Sequence, residues 1–253
     1  MIKTGLVSIT FRKLEPEEII KLVSKVGLKG IEWGGDVHVP HENIKRAREV
    51  AAMTRDMGLE VAAYGSYYRV GCSENCKTEF EQVIETALSL GAPVIRVWAG
   101  NKGSDKADEE FWKKVISDSK RIAEIAGEVG IKLAYEYHPN TLTDTDEAAR
   151  RLLNEVNNEN MMSMWQPSPV RSFEECLNDL KNIAPYLVNV HAFHWEEGKR
   201  LPFEEGFNKW NTYIDVIRNI PGDHYVMLEF VKDDDPAQFE KDAAALRKLI
   251  ENK

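Results

Sequence analysis

Three apolar segments in the second half of the sequence each end in a side chain that can bind a metal ion. Short apolar runs of this kind are typical of buried strands. If such strands lie parallel and side by side, their carboxyl ends open on one face and the three ligands converge there. The segments are Lys132-Leu133-Ala134-Tyr135-Glu136, Leu187-Val188-Asn189-Val190-His191 and Val226-Met227-Leu228-Glu229.

The alternation of side chains along a strand supports this convergence. In the first segment Glu136 lies on the opposite face from Leu133 and Tyr135, which we expect to face the surrounding helices. His191 and Glu229 occupy the equivalent positions in their own segments. For each residue taken alone, the simpler interpretation is an ordinary polar group at a strand end, paired in a salt bridge. Together they favour a metal site, because clustered carboxylates repel one another and usually need a cation or a shared proton.

A repeated junction predicts the elements that position these residues. Gly27, Gly58, Gly91 and Gly130 each follow a helical pattern and precede a strand-like run, at spacings of 31, 33 and 39 residues. A helix that ends before the chain turns back often needs a residue with positive φ, which favours glycine. The spacing matches one strand followed by one helix.

Eight such units fit the length of the chain. Strands alternating with helices imply parallel pairing and right-handed crossovers, and a closed barrel of this class has about 250 residues. We therefore expect an α/β fold, a single (β/α)8 TIM barrel spanning residues 1–253. The alternative is an open doubly wound sheet, although the first strand lacks the glycine-rich phosphate turn of such folds. The strands are expected near residues 4–9, 29–33, 59–64, 93–98, 131–136, 161–166, 187–192 and 225–230.

The composition narrows the possible partners. The formal net charge is -9 and no basic stripe is present, so nucleic acid is not expected as a partner. No apolar run approaches the roughly 18 residues of a membrane span, and no leader pattern opens the sequence. With only three cysteines, a reducing compartment is indicated, and we expect a cytoplasmic protein. Cys72 and Cys76 resemble half of a zinc motif, but no second pair follows, so a structural zinc is not expected.

The chain resembles the xylose isomerase-like barrels of the sugar phosphate isomerase/epimerase group, which include ketose 3-epimerases, hydroxypyruvate isomerases and inosose dehydratases. The resemblance covers essentially the whole chain and is specific for the superfamily, but not for one substrate. It implies a small-molecule carbohydrate substrate and, as is common in the family, a homodimer or homotetramer. It rests on Gly30-Ile31-Glu32-Trp33-Gly34-Gly35-Asp36-Val37-His38, Arg96-Val97-Trp98-Ala99-Gly100, Tyr135-Glu136-Tyr137-His138, Asn189-Val190-His191 and Leu228-Glu229-Phe230.

The same resemblance implies a ligand set for a divalent ion, which would be Mn, Mg, Co or Zn. The family typically uses a glutamate, an aspartate, a histidine and a glutamate on the fifth to eighth strands. Glu136, His191 and Glu229 match this pattern, whereas Gln166 stands where the aspartate is expected and Pro169 replaces a histidine that often follows. A glutamine carbonyl can still coordinate a hard cation without contributing charge. The alternative is that Gln166 contacts substrate hydroxyls.

The implied chemistry is proton transfer through a metal-stabilised enediolate, with Glu136 and Glu229 as catalytic acid and base. This predicts a metal-dependent sugar isomerase or epimerase. One alternative is a metal-dependent dehydratase of a sugar acid or inosose, which starts from the same enolate. The other alternative is a non-catalytic sugar-binding relative, because Gln166 stands where a carboxylate ligand is expected.

Further residues near strand ends are candidates for substrate binding. Arg96 and Trp98 share one strand face, although Arg96 could instead be buried in an ion pair inside the barrel. Aromatic rings at strand ends can pack against the C–H face of a sugar, and a loop histidine can cover the site. The candidates are His138, Arg96, Trp98, Trp33, His38 and Trp165.

Overall fold

The barrel is closed by eight parallel strands. The computed structural model describes residues 1–72 and 79–251, and Cys76 of the half zinc motif lies outside these residues. The eight strands are β1 (Ile2–Val7), β2 (Gly30–Gly34), β3 (Glu60–Arg69), β4 (Val94–Trp98), β5 (Lys132–Glu136), β6 (Met161–Trp165), β7 (Leu187–Ala192) and β10 (His224–Leu228). Around the barrel they follow the order β1, β10, β7, β6, β5, β4, β3, β2, and β1 pairs with both β10 and β2.

One α-helix follows each barrel strand and packs outside it. The helices are α1 (Pro16–Lys25), α2 (Ile44–Asp56), α3 (Phe80–Leu90), α4 (Glu109–Glu128), α5 (Asp146–Val156), α6 (Phe173–Ile183), α7 (Phe207–Arg218) and α8 (Pro236–Glu251). This arrangement confirms the predicted (β/α)8 TIM barrel and excludes the open sheet. Among the described residues, no helix is long and apolar enough to cross a membrane.

Local signals at the helix ends act as the sequence predicts. Gly27, Gly58, Gly91 and Gly130 all have positive φ, between 70° and 74°. Ser172 and Glu175 form a reciprocal capping box at the start of α6, which satisfies backbone N–H groups that the first turn leaves free.

The apolar core has two layers. The outer layer lies between the strands and the helices; Tyr135, for example, points outward and its hydroxyl bonds Ser119 of α4. The inner layer fills the barrel itself with residues of the opposite strand face, including Ala134, Met164 and Met227. Because side chains alternate, the same inward-facing rows continue upward to Glu136 and Glu229 at the carboxyl ends of β5 and β10.

The barrel strands agree with the predicted ranges to within two residues, except for β3, and one short hairpin is not predicted. β3 extends to Arg69, beyond the predicted end at residue 64, with an irregular register against β4 and a positive φ of 58° at Tyr67. A short antiparallel hairpin of β8 (Trp195–Glu196) and β9 (Lys199–Arg200) follows β7.

Candidate metal centre and active site

Glu136, His191 and Glu229 meet at the carboxyl-terminal mouth of the barrel. One ligand atom from each lies within 4.8 Å of the other two, and all three side chains are buried. His191 Nδ1 is 3.5 Å from Glu229 Oε2 and 4.0 Å from Glu136 Oε1. This is a donor set of two carboxylates and one imidazole, which suits a divalent ion.

The backbone around Glu229 is fixed on both sides. Its N–H donates to the Ala192 carbonyl on β7 at 3.0 Å. The next residue, Phe230, turns the chain with a φ of 50°, and its N–H donates to Thr10 Oγ1 at 3.0 Å. A non-glycine residue in this region is strained, so the strand ends abruptly and leaves the Glu229 carboxylate at the mouth.

Glu32 is a further buried carboxylate in this cluster. It is fully buried on β2, and its Oε2 lies 3.0 Å from His191 Nε2. Metal-binding histidines usually donate their second ring N–H to such a carboxylate, which fixes the tautomer and the ring orientation. Glu32 therefore holds His191 so that Nδ1 faces Glu136 and Glu229. Strand alternation was the available signal, because Glu32 is the one acidic residue within the apolar β2.

Arg96 joins two of these carboxylates. Its Nε donates to Glu32 Oε1 at 2.6 Å, and its Nη1 donates to Glu136 Oε2. The side chain is only 2% exposed. Of the two roles considered for Arg96, the structure places it in a buried ion pair inside the barrel.

The charges within the cluster shift the pKa values of its buried carboxyl groups and of its histidine. Burial raises the pKa of Glu32, but His191 and Arg96 lower it more, to a net value of about 2. Burial lowers the pKa of His191, whereas Glu32 and Glu229 raise it to about 10. Burial likewise opposes the ionised form of Glu136, yet Arg96 and His191 bring its pKa below the usual value. Without a metal ion, His191 therefore carries a proton at neutral pH. A metal ion on Nδ1 would displace that proton, and the three carboxylates would then face one guanidinium, which leaves two negative charges that one divalent cation would balance.

Gln166 provides an independent test of whether a metal ion fits. Its Nε2 donates to the Tyr137 carbonyl at 3.0 Å and lies 3.4 Å from Glu136 Oε1. Its Oε1 is buried and has no hydrogen-bond partner among the described residues. A buried carbonyl oxygen without a partner is costly, and an ion beside Glu136 would satisfy it. The residues therefore fit a divalent ion.

Trp98 and His138 line the mouth beside Glu136. Trp98 Nε1 donates to Glu136 Oε2, the same oxygen that Arg96 contacts. The His138 ring stacks on the Trp98 ring with centroids 5.2 Å apart. Both side chains are half-buried, so they border the cluster and remain accessible to a ligand.

The other predicted aromatic residues lie apart from the cluster. Trp33 is fully buried in the outer core, and Trp165 packs edge-on against Trp210 and Tyr213 of α7. His38 is buried and its Nδ1 lies 2.9 Å from Ser8 Oγ. The faces of the two tryptophan rings are therefore covered by protein, and neither enters the mechanism below.

Comparisons with known proteins agree with this fold. A family model described as the xylose isomerase-like TIM barrel matches residues 20–249. A 3-dehydroshikimate dehydratase of Bacillus anthracis is 27% identical over 260 residues, covering 90% of each chain. An inosose dehydratase of Clostridium perfringens is 25% identical, covering 84% of this chain and 75% of its own.

Solved structures show the same architecture. The probable 3-DHS dehydratase AsbF of Bacillus anthracis aligns with a TM-score of 0.78 at 20% identity and full coverage of both chains. D-psicose 3-epimerase of Clostridium cellulolyticum aligns with a TM-score of 0.72 at 16% identity, covering 98% of this chain and 99% of its own. The IolI protein, solved with a zinc atom, has a TM-score of 0.72 at 18% identity, covering 98% and 96%. The similar proteins thus include dehydratases and epimerases, and this chain is an enzyme.

Proposed function

Because the chain belongs to the xylose isomerase-like TIM-barrel family, we propose that it is a divalent-metal-dependent dehydratase that removes water from a cyclic polyhydroxy ketone. The observation that carries the proposal is the buried cluster of Glu136, His191 and Glu229 at the barrel mouth. The two curated relatives described above, both dehydratases, support elimination over epimerisation as the outcome.

Four side chains would hold the metal: Glu136, His191 and Glu229, with Gln166 Oε1 as a neutral ligand. When bound, a divalent ion supplies Lewis acidity that makes a C–H bond beside a ketone more acidic. Glu32 keeps His191 in the required tautomer, and Arg96 keeps Glu136 ionised. Glu136, His191 and Glu229 are each at most 4% exposed, and burial strengthens the interactions among them.

Glu229 is the better candidate for the base. Glu136 Oε2 already accepts hydrogen bonds from Arg96 and Trp98, so its carboxylate is less available to take a proton. The Glu229 carboxylate lies 3.5 Å from His191 Nδ1, and among the described residues it accepts no hydrogen bond from an arginine or a tryptophan. A base must reach the proton that it removes, and Glu229 lies at the open end of its strand.

The elimination requires two protein groups, one that takes a proton and one that gives a proton. Glu229 takes the proton from the carbon next to the ketone, and the C–H electron pair forms a double bond to the adjacent carbon as the C–O bond there breaks. His138 gives a proton to the departing hydroxyl, which leaves as water. His138 Nδ1 lies 2.7 Å from the Pro139 carbonyl oxygen, so Nε2 is the nitrogen available for this transfer. Solvent then returns His138 and Glu229 to their starting states.

Epimerisation is the second candidate, because Glu136 and Glu229 lie in one cluster. The same deprotonated carbon would then receive a proton from Glu136 on the opposite face. Either outcome fits the predicted enolate chemistry, and only the product distinguishes them.

The deciding experiment incubates the protein and Mn²⁺ with 3-dehydroshikimate, inosose and a panel of ketoses in deuterated water. We expect a product that has lost one water molecule, detected by mass spectrometry, from at least one of the two cyclic ketones. Deuterium incorporated into a ketose without loss of water would favour epimerisation instead. An unchanged panel with every one of Mn²⁺, Mg²⁺, Co²⁺ and Zn²⁺ would contradict both.

A further inference from the structure

The arginines around the barrel mouth differ in whether a carboxylate neutralises them. Arg12 is paired with Asp36, and Arg200 is paired with Asp234 at 2.6 Å. Arg96 is paired with both of its carboxylates inside the barrel. Arg69 is different: within residues 1–72 and 79–251, no carboxylate forms an ion pair with it.

Arg69 is nevertheless held in place. It is the last residue of β3 and lies in register with Trp98 on β4. Its guanidinium carbon stacks over the Trp98 ring at 4.0 Å, and its Nη1 donates to the Gly100 carbonyl at 3.3 Å. Stacking on an indole fixes the plane of a guanidinium and partly desolvates it.

The position of Arg69 connects it to the catalytic cluster. The indole on which it stacks donates through Nε1 to Glu136, so a single ring separates the guanidinium from the proposed metal ligands. Arg69 is half-buried, and most of its five N–H donors have no acceptor among the described residues. A guanidinium in this condition matches a carboxylate, which accepts two parallel hydrogen bonds from it.

We propose that Arg69 binds a carboxylate of the substrate, and that the substrate is an anionic cyclic hydroxy ketone. This inference rests on the proposed dehydratase function and sharpens it, because 3-dehydroshikimate carries a carboxylate and inosose carries no charge. Arg69 would hold the acid group at the rim while the ketone end reaches Glu229 and Glu136. It thus determines specificity and takes no part in the proton transfers.

The test compares the binding of shikimate, which has no ketone to react, with that of its uncharged methyl ester. Calorimetric titrations use the Mn²⁺-loaded protein, Arg69→Met, Arg69→Lys and the control Arg200→Met, which removes a mouth arginine that already has a partner. Hydrogen bonds to charged groups are worth about 1.5–3 kcal/mol, so the wild type and Arg200→Met should prefer the acid by on the order of tenfold to a hundredfold.

In Arg69→Met this preference should vanish while the ester binds as before, and Arg69→Lys should restore part of it. A preference that survives in Arg69→Met overturns the inference. So does equal binding of acid and ester by the wild type, including no binding of either. The measurement does not depend on turnover, so a preference found in a protein without dehydratase activity would leave Arg69 as the anion-binding residue and remove the dehydratase proposal alone.

Discussion

The two glutamates of the candidate metal site differ in the hydrogen bonds that their carboxylates accept. Glu136 accepts hydrogen bonds from two donors, Arg96 and Trp98, on one oxygen. Glu229 forms an ion pair with the imidazole of His191, and it accepts no such hydrogen bonds among the described side chains. Hydrogen bonds to the charged form stabilise that form. This difference supports the proposal that Glu136 chiefly holds charge and that Glu229 moves the proton.

Glu229→Gln tests this assignment. The amide keeps the shape of the side chain but cannot take the proton, and general-base catalysis typically contributes about 10²–10⁴-fold. We expect kcat, measured at saturating Mn²⁺ with the substrate found in the panel, to fall by about this factor, with little change in the thermal unfolding temperature. The control is Glu110→Gln on α4, a glutamate 81% exposed, which should match the wild type. Wild-type kcat in Glu229→Gln would remove Glu229 as the base.

At the residue scale, the sequence predicted that three side chains at the ends of apolar strands converge, and their role as metal ligands stays a prediction. Glu136, His191 and Glu229 carry that signal, and the structure brings them together. Glu32 was missed as a member of the cluster because its partners are distant in sequence, with His191 159 residues away. Strand alternation gives the face of a side chain but not its partner across the barrel. For the same reason, the sequence did not decide whether Arg96 binds the substrate or forms a buried ion pair.

At the scale of elements, the close packing inside the barrel leaves no room for a side chain at one position of β3 beside the cluster. Gly65 on β3 pairs with Gly34 on β2 and Arg96 on β4. A Cβ atom at Gly65 would lie 2.6 Å from Arg96 Nη2 and 2.9 Å from Glu32 Oε1. The absence of a side chain here is therefore what lets Arg96 reach Glu32.

Gly65→Ala should displace this buried pair. Overpacking of a full core costs roughly 1–3 kcal/mol, and we expect a loss of that size in the free energy of unfolding, measured by urea denaturation. Because Glu32 orients His191, Mn²⁺ affinity measured by calorimetry should fall as well. The control is Gly127→Ala in α4, where an added Cβ meets only ordinary contacts at 3.7 Å or more. Unchanged stability and metal affinity in Gly65→Ala would show that the Glu32–Arg96 pair adjusts freely.

Element boundaries were predictable where the signal is local. The four junction glycines act within one turn of chain, and they have the positive φ that the sequence predicts. The extension of β3 and the hairpin of β8 and β9 depend on contacts across the mouth. β3 pairs irregularly with β4, and β8 pairs with β9 over only two residues, so neither feature produces a periodic pattern in the sequence. The position of Arg69 at the rim follows from the β3 extension and was therefore not foreseen.

At the scale of the whole molecule, the barrel concentrates negative charge where all eight strands end. Glu32, Glu136 and Glu229 are each at most 4% exposed, and Arg96 neutralises only part of their charge. Burial makes uncompensated charge expensive. A divalent ion that binds the folded chain and not the unfolded chain should therefore stabilise the whole barrel, because all three carboxylates come from different parts of the sequence.

Removing and restoring the metal ion measures how much metal binding stabilises the folded barrel. A ligand that binds only the folded state at 100 times its dissociation constant adds about 2.7 kcal/mol, so Mn²⁺ added to chelator-treated protein should raise the thermal unfolding temperature by several degrees. His191→Gln should abolish the rise. The matched control is His194→Gln, since His194 lies two residues beyond the end of the same strand and outside the cluster, and it should respond as the wild type. If neither Mn²⁺, Mg²⁺, Co²⁺ nor Zn²⁺ moves the unfolding temperature of the wild type, the buried charges are balanced by protons, and the metal mechanism fails.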